Sequence, residues 1–259
     1  MNRYMWVFCT LLAGCAGHGG SMGTERDLSA SANPRAQIHT ELAGGYYERG
    51  QYAVALQELH KAQEADRNYA PAYHVFGLVH AELREDKEAD TYYRRAIELA
   101  PNYSEAHNSY GQFLCQRGHA ESAMHHFETA LSNPLYETPE RALVNYGACA
   151  LEKGDLPLAE QCFARAIKRA PDQPSVQLGM AEVFFRKGRW LAARSLLQQA
   201  SRQRELPAQG LWLGVRVERQ AADHEAESSY AAQLKRRFPD DLRTQWLITG
   251  QYEQGGSLL

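Results

Sequence analysis

The sequence lacks an excess of charge of either sign. Its 28 Lys and Arg residues stand against 31 Asp and Glu residues, so the formal net charge of the 259 residues is -3. Without a basic field the chain is not expected to bind nucleic acid, and no acidic tail indicates a basic partner. Its 44% apolar and 23% charged residues are ordinary for a globular protein, which argues against disorder.

The motifs of common enzymes are also missing. No P-loop, GxSxG, HExxH or dinucleotide-binding fingerprint occurs in the sequence. His119, His125 and His126 come nearest to a metal site. Adjacent side chains on a helix point about 100° apart and cannot both face one ion, so we expect these histidines to be solvated. We therefore predict no catalytic residue, metal, cofactor or small-molecule substrate.

Cysteine is scarce, and its spacing excludes two common uses. Five cysteines are present and none forms a CxxC pair. Three of them, Cys115, Cys149 and Cys162, fall in the body of the chain, an odd number that argues against a zinc site and a full disulfide framework. We expect buried free thiols that pack as small apolar groups, while an oxidising compartment would allow one pair to bridge.

The apolar run at the N-terminus, from Tyr4 to Leu12, is too short to cross a bilayer. With Arg3 before it and small residues after it, the run is typical of a secretory signal. The sequence LAGC at residues 12–15 resembles the lipobox of bacterial lipoproteins, which implies cleavage after residue 14 and acylation of Cys15. An ordinary signal peptide or a buried N-terminal helix is the alternative.

The residues after Cys15 indicate a destination and a tether. Ala16 rather than Asp follows the cysteine, and the sorting rule of enterobacterial lipoproteins then implies the outer membrane, with the protein on its periplasmic face. Residues 15–35 are rich in Gly, Ser and Ala and show no helical period. They predict a flexible tether with a span of roughly 25 Å.

The body of the chain is organised around the stretch from Ala70 to Tyr103. From Tyr73 to His80, residues at i, i+3, i+4 and i+7 predict a first helix with one apolar-to-small face. The pattern continues from Ala89 to Ala96 in a second helix, which ends before Pro101. Neither helix can bury its apolar face alone. We therefore expect neighbouring copies of this unit on both sides.

Copies of this stretch recur along the chain with a period of about 34 residues. We define slot n as the nth residue of a repeat. Slot 8 is always small, slot 20 is always Ala, and slot 24 holds an aromatic residue or Leu. We expect the small residues at slots 8 and 20 to meet, which lets the two helices approach each other. The predicted repeats are 36–69, 70–103, 104–139, 140–173, 174–206 and 207–240.

This period and slot chemistry match the tetratricopeptide repeat. We predict an all-α fold, a right-handed α-solenoid of six helix-turn-helix repeats. Leu242, Trp246 and Leu247 predict a C-terminal capping helix within residues 241–259, followed by a disordered tail.

In this repeat family the first helices line a concave groove, and the resemblance places slots 2, 5, 9, 12 and 13 on it. The groove slots hold apolar and amide side chains but no lysine. A clamp for a C-terminal carboxylate is therefore not supported, and an extended or helical peptide segment fits better. For each apolar residue the alternative is packing against the adjacent repeat. The candidate partner-binding residues are Tyr47, His74, Leu78, Asn108, Gln112, Leu151, Phe185 and Leu211.

Two stretches resemble the PilF/PilW family of type IV pilus biogenesis and stability lipoproteins, the pilotins. They are SNPLYETPERALVNYGACALEKGD at 132–155 and LWLGVRVER at 211–219, set in the same plan of lipobox, tether and six repeats. Arg67 departs from the family pattern, which usually has proline there. The resemblance implies an outer-membrane lipoprotein that binds secretin subunits and promotes their localisation and multimerisation for pilus biogenesis and twitching motility. The alternative is a periplasmic scaffold lipoprotein that recruits or regulates cell-wall enzymes.

Overall fold

The computed structural model describes residues 33–253, and every regular element in this part of the chain is an α-helix. The all-α prediction is confirmed. The predicted signal peptide, Cys15, most of the tether and the end of the C-terminal tail lie outside the described range. The helices are α1 (Pro34–Glu48), α2 (Tyr52–Ala65), α3 (Ala70–Glu82), α4 (Asp86–Leu99), α5 (Ser104–Gln116), α6 (Ala120–Ser132), α7 (Pro139–Lys153), α8 (Leu156–Arg169), α9 (Pro174–Arg186), α10 (Trp190–Gln203), α11 (Ala208–Gln220), α12 (His224–Arg237) and α13 (Leu242–Thr249).

Successive helices form six pairs, α1 with α2 through α11 with α12. The first helix of each later pair also packs against both helices of the pair before it, which produces the predicted solenoid. Among residues 33–253, none of the helices has the length and apolar character needed to cross a bilayer.

Proline and left-handed turn residues set the helix ends. Pro139 and Pro174 stand in the first turns of α7 and α9, where the missing N–H costs nothing. Between α7 and α8 the chain turns through Gly154 at a φ of 82°, which glycine adopts without strain. In the second and sixth pairs the left-handed residue is instead Arg84 (φ 63°) or Ala222 (φ 56°). A side chain in this conformation costs roughly 1–2 kcal/mol.

The two helices of a pair meet closely at slot 8. A Cβ added to Gly77 would lie 2.7 Å from the Tyr93 ring, and one added to Gly111 would lie 2.9 Å from the Phe127 ring. Real side chains do not approach this closely, so the rings require glycine opposite them. The close approach was predicted, but the expected contact with the slot 20 alanine is incomplete, because the slot 24 ring covers most of the glycine.

Slots 8 and 24 vary together within this one chain. Four repeats place an aromatic ring over glycine, and the other two place leucine over alanine. The extra methyl on one helix is thus matched by a smaller side chain on the other, which conserves the packed volume. The pairs are Gly77–Tyr93, Gly111–Phe127, Gly147–Phe163 and Gly214–Tyr230, with Ala43–Leu59 and Ala181–Leu197.

Cys115 and Cys149 form a disulfide that joins α5 to α7, with their Cα atoms 5.9 Å apart. The expectation of free thiols is therefore wrong for these two residues. They are separated by a full repeat in sequence but lie on the first helices of neighbouring repeats, which run side by side within bridging distance. Cys162 is free and buried, as expected.

The helix α13 packs on the last repeat and caps it. The buried Leu247 lies in the same apolar cluster as Trp212, and the ring of Trp246 lies 6.0 Å from the Trp212 ring. Tyr252 stacks on Trp212 beyond the end of the helix, also at 6.0 Å. The predicted capping helix is confirmed, although Leu242 at its start is 54% exposed.

Candidate partner-binding groove

The first helices of the six pairs carry the eight predicted partner-binding residues, and only half of these residues are accessible. Tyr47, Leu78, Gln112 and Phe185 are partly exposed. The side chains of His74, Asn108, Leu151 and Leu211 are buried.

His74 and Asn108 bind neighbouring repeats to each other. His74 Nε2 lies 2.9 Å from the Ser109 hydroxyl, and its Nδ1 lies 3.2 Å from the Tyr103 hydroxyl. Burial lowers the pKa of His74 to about 4, so the ring is neutral at pH 7. The side-chain amide of Asn145 donates to the side-chain oxygen of Asn108 at 3.0 Å. These polar groups therefore form their hydrogen bonds within the solenoid and are not available to a partner.

Leu151 and Leu211 are each 1% exposed and belong to the apolar clusters of the last three repeats. Partner contact is thus not supported for any of the four buried candidates. Three of these four candidates occupy slot 5, which packs between successive first helices. This slot holds Thr40, His74, Asn108, Leu178 and Leu211, all buried, and the half-buried Val144.

Slot 13 forms the accessible wall of the groove, because it is exposed in all six repeats. It is acidic in the first, second and fourth repeats and basic in the last two. Tyr47 lies beside the N-terminal part of this wall. Burial and the neighbouring Glu82 raise the pKa of Tyr47 to about 12, so its phenol stays protonated and can donate a hydrogen bond. From the first repeat to the last, the wall consists of Glu48, Glu82, Gln116, Glu152, Arg186 and Arg219.

A charged cluster surrounds the buried Glu182 at the C-terminal part of the groove. Arg186 Nε donates to the Glu182 carboxylate at 2.7 Å, and Arg216 Nη1 donates to it at 3.3 Å. The Arg216 guanidinium also lies over the Phe185 ring, 4.2 Å from its centroid. A further bond from Arg186 to the Leu151 carbonyl, at 2.6 Å, ties the cluster to the preceding repeat.

Sequence reasoning missed Arg216, although a signal was present. It stands at slot 10, which is apolar or small in every other repeat, so a charged residue there marks an unusual environment. Burial lowers the pKa of Arg216. In the other repeats this slot holds Gly45, Val79, Phe113, Cys149 and Val183.

An exposed apolar stripe on α1 was also missed. Ile38 is 56% exposed and Leu42 is 45% exposed, and their spacing of four places them on one face of the helix. In the next repeat the equivalent residues, Ala72 and Phe76, are fully buried against the helices before them. No repeat precedes α1 within the described residues, so the same slots form a surface there. We call Ile38 and Leu42 the N-terminal stripe.

His126 is half-buried rather than solvated, which corrects the expectation for this residue. Its Nδ1 lies 2.9 Å from Nδ1 of His107, whose Nε2 in turn donates to the Pro101 carbonyl at 2.9 Å. Burial, with His107 close by, lowers the pKa of His126 to about 4. His119 and His125 are exposed, as expected. In the part of the chain that the structure describes, no three His, Cys, Asp or Glu side chains are placed to hold a metal ion.

Comparison with known proteins supports the repeat assignment. Models of the tetratricopeptide repeat match residues 70–103, 92–125 and 141–209, and the first of these coincides with the second predicted repeat. The type IV pilus assembly protein PilF of Pseudomonas aeruginosa is 29% identical over 234 residues, which cover 90% of this chain and 92% of PilF.

Two solved structures are similar over almost their whole length. The crystal structure of PilW, a widely conserved type IV pilus biogenesis factor, has a TM-score of 0.75 at 28% identity and covers 84% of this chain and 100% of its own. The chain is a PilF/PilW-like tetratricopeptide repeat protein. Pseudomonas aeruginosa PilF gives a TM-score of 0.73 at 28% identity, with 84% and 98% of the two chains covered. Repeat solenoids of this kind use extended surfaces to bind protein partners, and the groove and the N-terminal stripe are the candidates for such a surface in this PilF/PilW-like chain.

Proposed function

We propose that this PilF/PilW-like chain is an outer-membrane lipoprotein that binds secretin subunits and promotes their localisation and multimerisation in type IV pilus biogenesis. The observation that carries the proposal is the similarity to PilF and PilW across nearly the full length of both relatives. A match limited to a few repeats would support only the generic fold.

The disulfide supports a location outside the cytoplasm. Such bonds persist in oxidising compartments and are rare where thiols are kept reduced. The Cys115–Cys149 bridge therefore fits a periplasmic position of the folded body. Cys15 supplies the proposed lipid anchor, since the LAGC sequence around it resembles a lipobox. Two or more acyl chains would make that anchoring stable.

The N-terminal stripe and the adjacent part of the groove are the proposed docking surface for the secretin. Ile38 and Leu42 offer exposed apolar side chains, while Tyr47 and Gln112 offer hydrogen-bonding groups. An amphipathic partner segment would bury its apolar face on such a surface. The role is one of binding and assembly, which agrees with the use of tetratricopeptide repeats as interaction scaffolds.

Deletion of the gene and complementation test this function in the native organism. We expect loss of secretin multimers and of twitching motility without the protein, and recovery of both with the wild-type chain. The Cys15→Ser chain should be made in normal amounts but fail to concentrate secretin in the outer membrane. Intact multimers and motility in the deletion strain would refute the proposal.

A pull-down from solubilised outer membranes separates secretin binding from a scaffold role in cell-wall metabolism. The proposal predicts recovery of the secretin. Recovery of peptidoglycan enzymes without secretin would instead favour the scaffold.

A further inference from the structure

The charge of the chain is divided unevenly between the two halves of the solenoid. Repeats one to three, residues 36–139, contain 8 Lys and Arg and 15 Asp and Glu, a formal charge of -7. Repeats four to six, residues 140–240, contain 16 and 12, a formal charge of +4. Although the net charge of the chain is small, its two halves carry opposite charge, so the molecule is strongly dipolar.

Much of the positive charge lies at one edge of the solenoid, where the second helices of the last three repeats end. Six cations at this edge form what we call the basic rim. All six of its side chains are exposed, and none lies within 4.0 Å of a carboxylate in the described part of the chain. The basic rim consists of Lys168 and Arg169 in the last turn of α8, Arg202 and Arg204 at the end of α10, and Lys235 and Arg236 in the last turn of α12.

A shallow depression between the last two repeats brings one rim residue, Arg236, close to the end of α10. The depression is lined by Ser201 in α10 and Glu205 just after it, and by Arg236 and Arg237 from the end of α12. The one acid in this depression, Glu205, is already paired with Arg237 at 3.1 Å. The other cation that lines it, Arg236, is in no ion pair within the described part of the chain.

Helix stabilisation does not account for the basic rim. Cations near a helix C-terminus interact favourably with the helix dipole, so some lysine or arginine is expected there. However, α2, α4 and α6 occupy the same position in the first three repeats and have no basic residue in their last turns. The fold thus forms these helix ends without cations, and the cations of α8, α10 and α12 call for another role.

We propose that the basic rim binds the anionic phosphate headgroups of a phospholipid surface and orients the solenoid on the membrane. Long, flexible, exposed cations spread along an edge across three repeats suit an extended anionic surface, where each contributes additively. The choice of a membrane as the occupant rests on charge complementarity between these cations and phosphate headgroups, and on the proposed lipid anchor, which would keep the folded body close to a bilayer.

Vesicle binding by the full chain carrying Cys15→Ser tests the rim without help from acyl chains. We expect binding to phosphatidylcholine vesicles that contain phosphatidylglycerol, weakening at high salt. Pure phosphatidylcholine vesicles measure any contribution of the N-terminal apolar run. Equal binding to neutral and anionic vesicles would overturn the proposal.

A rim variant and a control variant of equal charge show which cations are responsible for vesicle binding. R202Q/R204Q/K235Q/R236Q should weaken binding to anionic vesicles more than about tenfold. The control R35Q/R49Q/R67Q/K87Q removes four exposed cations outside the rim and should bind anionic vesicles like the Cys15→Ser parent. Equal loss in both variants would mean that net charge, not the rim, drives binding. If the rim variant keeps vesicle binding but loses secretin capture, the rim is a protein-docking surface and the proposal fails.

Lysine labelling of the otherwise unmutated Cys15→Ser chain gives an answer even if the rim variant folds poorly. Anionic vesicles should protect Lys168 and Lys235 from an amine-reactive reagent, while Lys61 and Lys87 in the acidic half remain reactive. Equal protection of all four would contradict the proposed orientation. Rim protection in a chain that fails to assemble secretin would leave this inference standing and count against the proposed function alone.

Discussion

The Gly77→Ala substitution probes the packing that defines each helix pair. On its own, alanine in a helix interior is favoured over glycine by about 1 kcal/mol. Here the new methyl would lie 2.7, 2.8 and 2.9 Å from three atoms of the Tyr93 ring, which is 1% exposed and has no free space to enter. Overpacking of this kind costs about 1–3 kcal/mol, and a confined ring places the cost in the upper part of that range. We therefore expect Gly77→Ala to lower the free energy of unfolding by about 1–2 kcal/mol, despite the better propensity of alanine.

Gly44→Ala is the matched control for helix propensity. A Cβ on Gly44 in α1 meets no atom within 4 Å, so we expect this variant to be more stable by about 0.5–1 kcal/mol. A second test combines Gly77→Ala with Tyr93→Leu, which recreates the native Ala43–Leu59 combination. The double variant should lose less stability than the sum of the single changes, by about 1 kcal/mol or more.

Denaturant unfolding followed by circular dichroism measures these differences. Hydrogen exchange of the amides in α3 and α4 adds a local readout, because repeat proteins need not unfold in one step. If Gly77→Ala were as stabilising as Gly44→Ala, or if the two changes at 77 and 93 were additive, the explanation of slots 8 and 24 would be refuted.

Further predictions concern the disulfide, a turn and pH. Replacing Cys115 and Cys149 by serine should lower the free energy of unfolding by about 3–4 kcal/mol, because the bridge closes a loop with a sequence separation of 34. A reducing agent should then no longer affect unfolding. A double variant as stable as the oxidised protein would contradict this prediction. Ala222→Gly should raise the unfolding midpoint by relieving roughly 1 kcal/mol of left-handed strain, and an unchanged midpoint would argue against that strain. The pKa of His74 is about 4 in the folded protein against 6.5 for a free histidine, so the unfolded chain binds more protons between these values and stability should fall as pH drops from 6.5 towards 4. His126 should add to this fall for the same reason. The His74→Gln variant should have a stability that depends less on pH in that range. If stability changes with pH as steeply as in the wild type, His74 is not a source of the pH dependence.

The repeat architecture could be predicted because its determinants are local and periodic. Small residues at slot 8 and aromatic residues or leucines at slot 24 recur at a fixed period, so Gly77 and Gly111 align without knowledge of the fold. The capping helix followed for a similar reason, since Trp246 and Leu247 continue a helical period.

The groove could be predicted only in part, because a slot number does not say how closely successive repeats pack. His74 and Asn108 occupy slot 5, and the next repeat covers both of them. The disulfide depends on the same geometry, since Cys115 and Cys149 meet only once α5 and α7 lie side by side. Neither the spacing of cysteines nor their number specifies such a pairing.

The most direct test of the central claim is the affinity of the purified chain for the periplasmic part of the secretin, measured by titration calorimetry with two matched variants. Ile38→Glu/Leu42→Glu places charge on the N-terminal stripe, whereas Leu191→Glu alters a residue of α10 that is 73% exposed and distant in sequence. All three changed residues are exposed, so the unfolding midpoints should stay close to that of the wild type. The account predicts tight binding by the wild type and by Leu191→Glu, and a loss of at least about tenfold for the stripe variant, as expected when a charge is placed in an apolar contact. Equal affinity of all three chains, or no binding by the wild type, would contradict it.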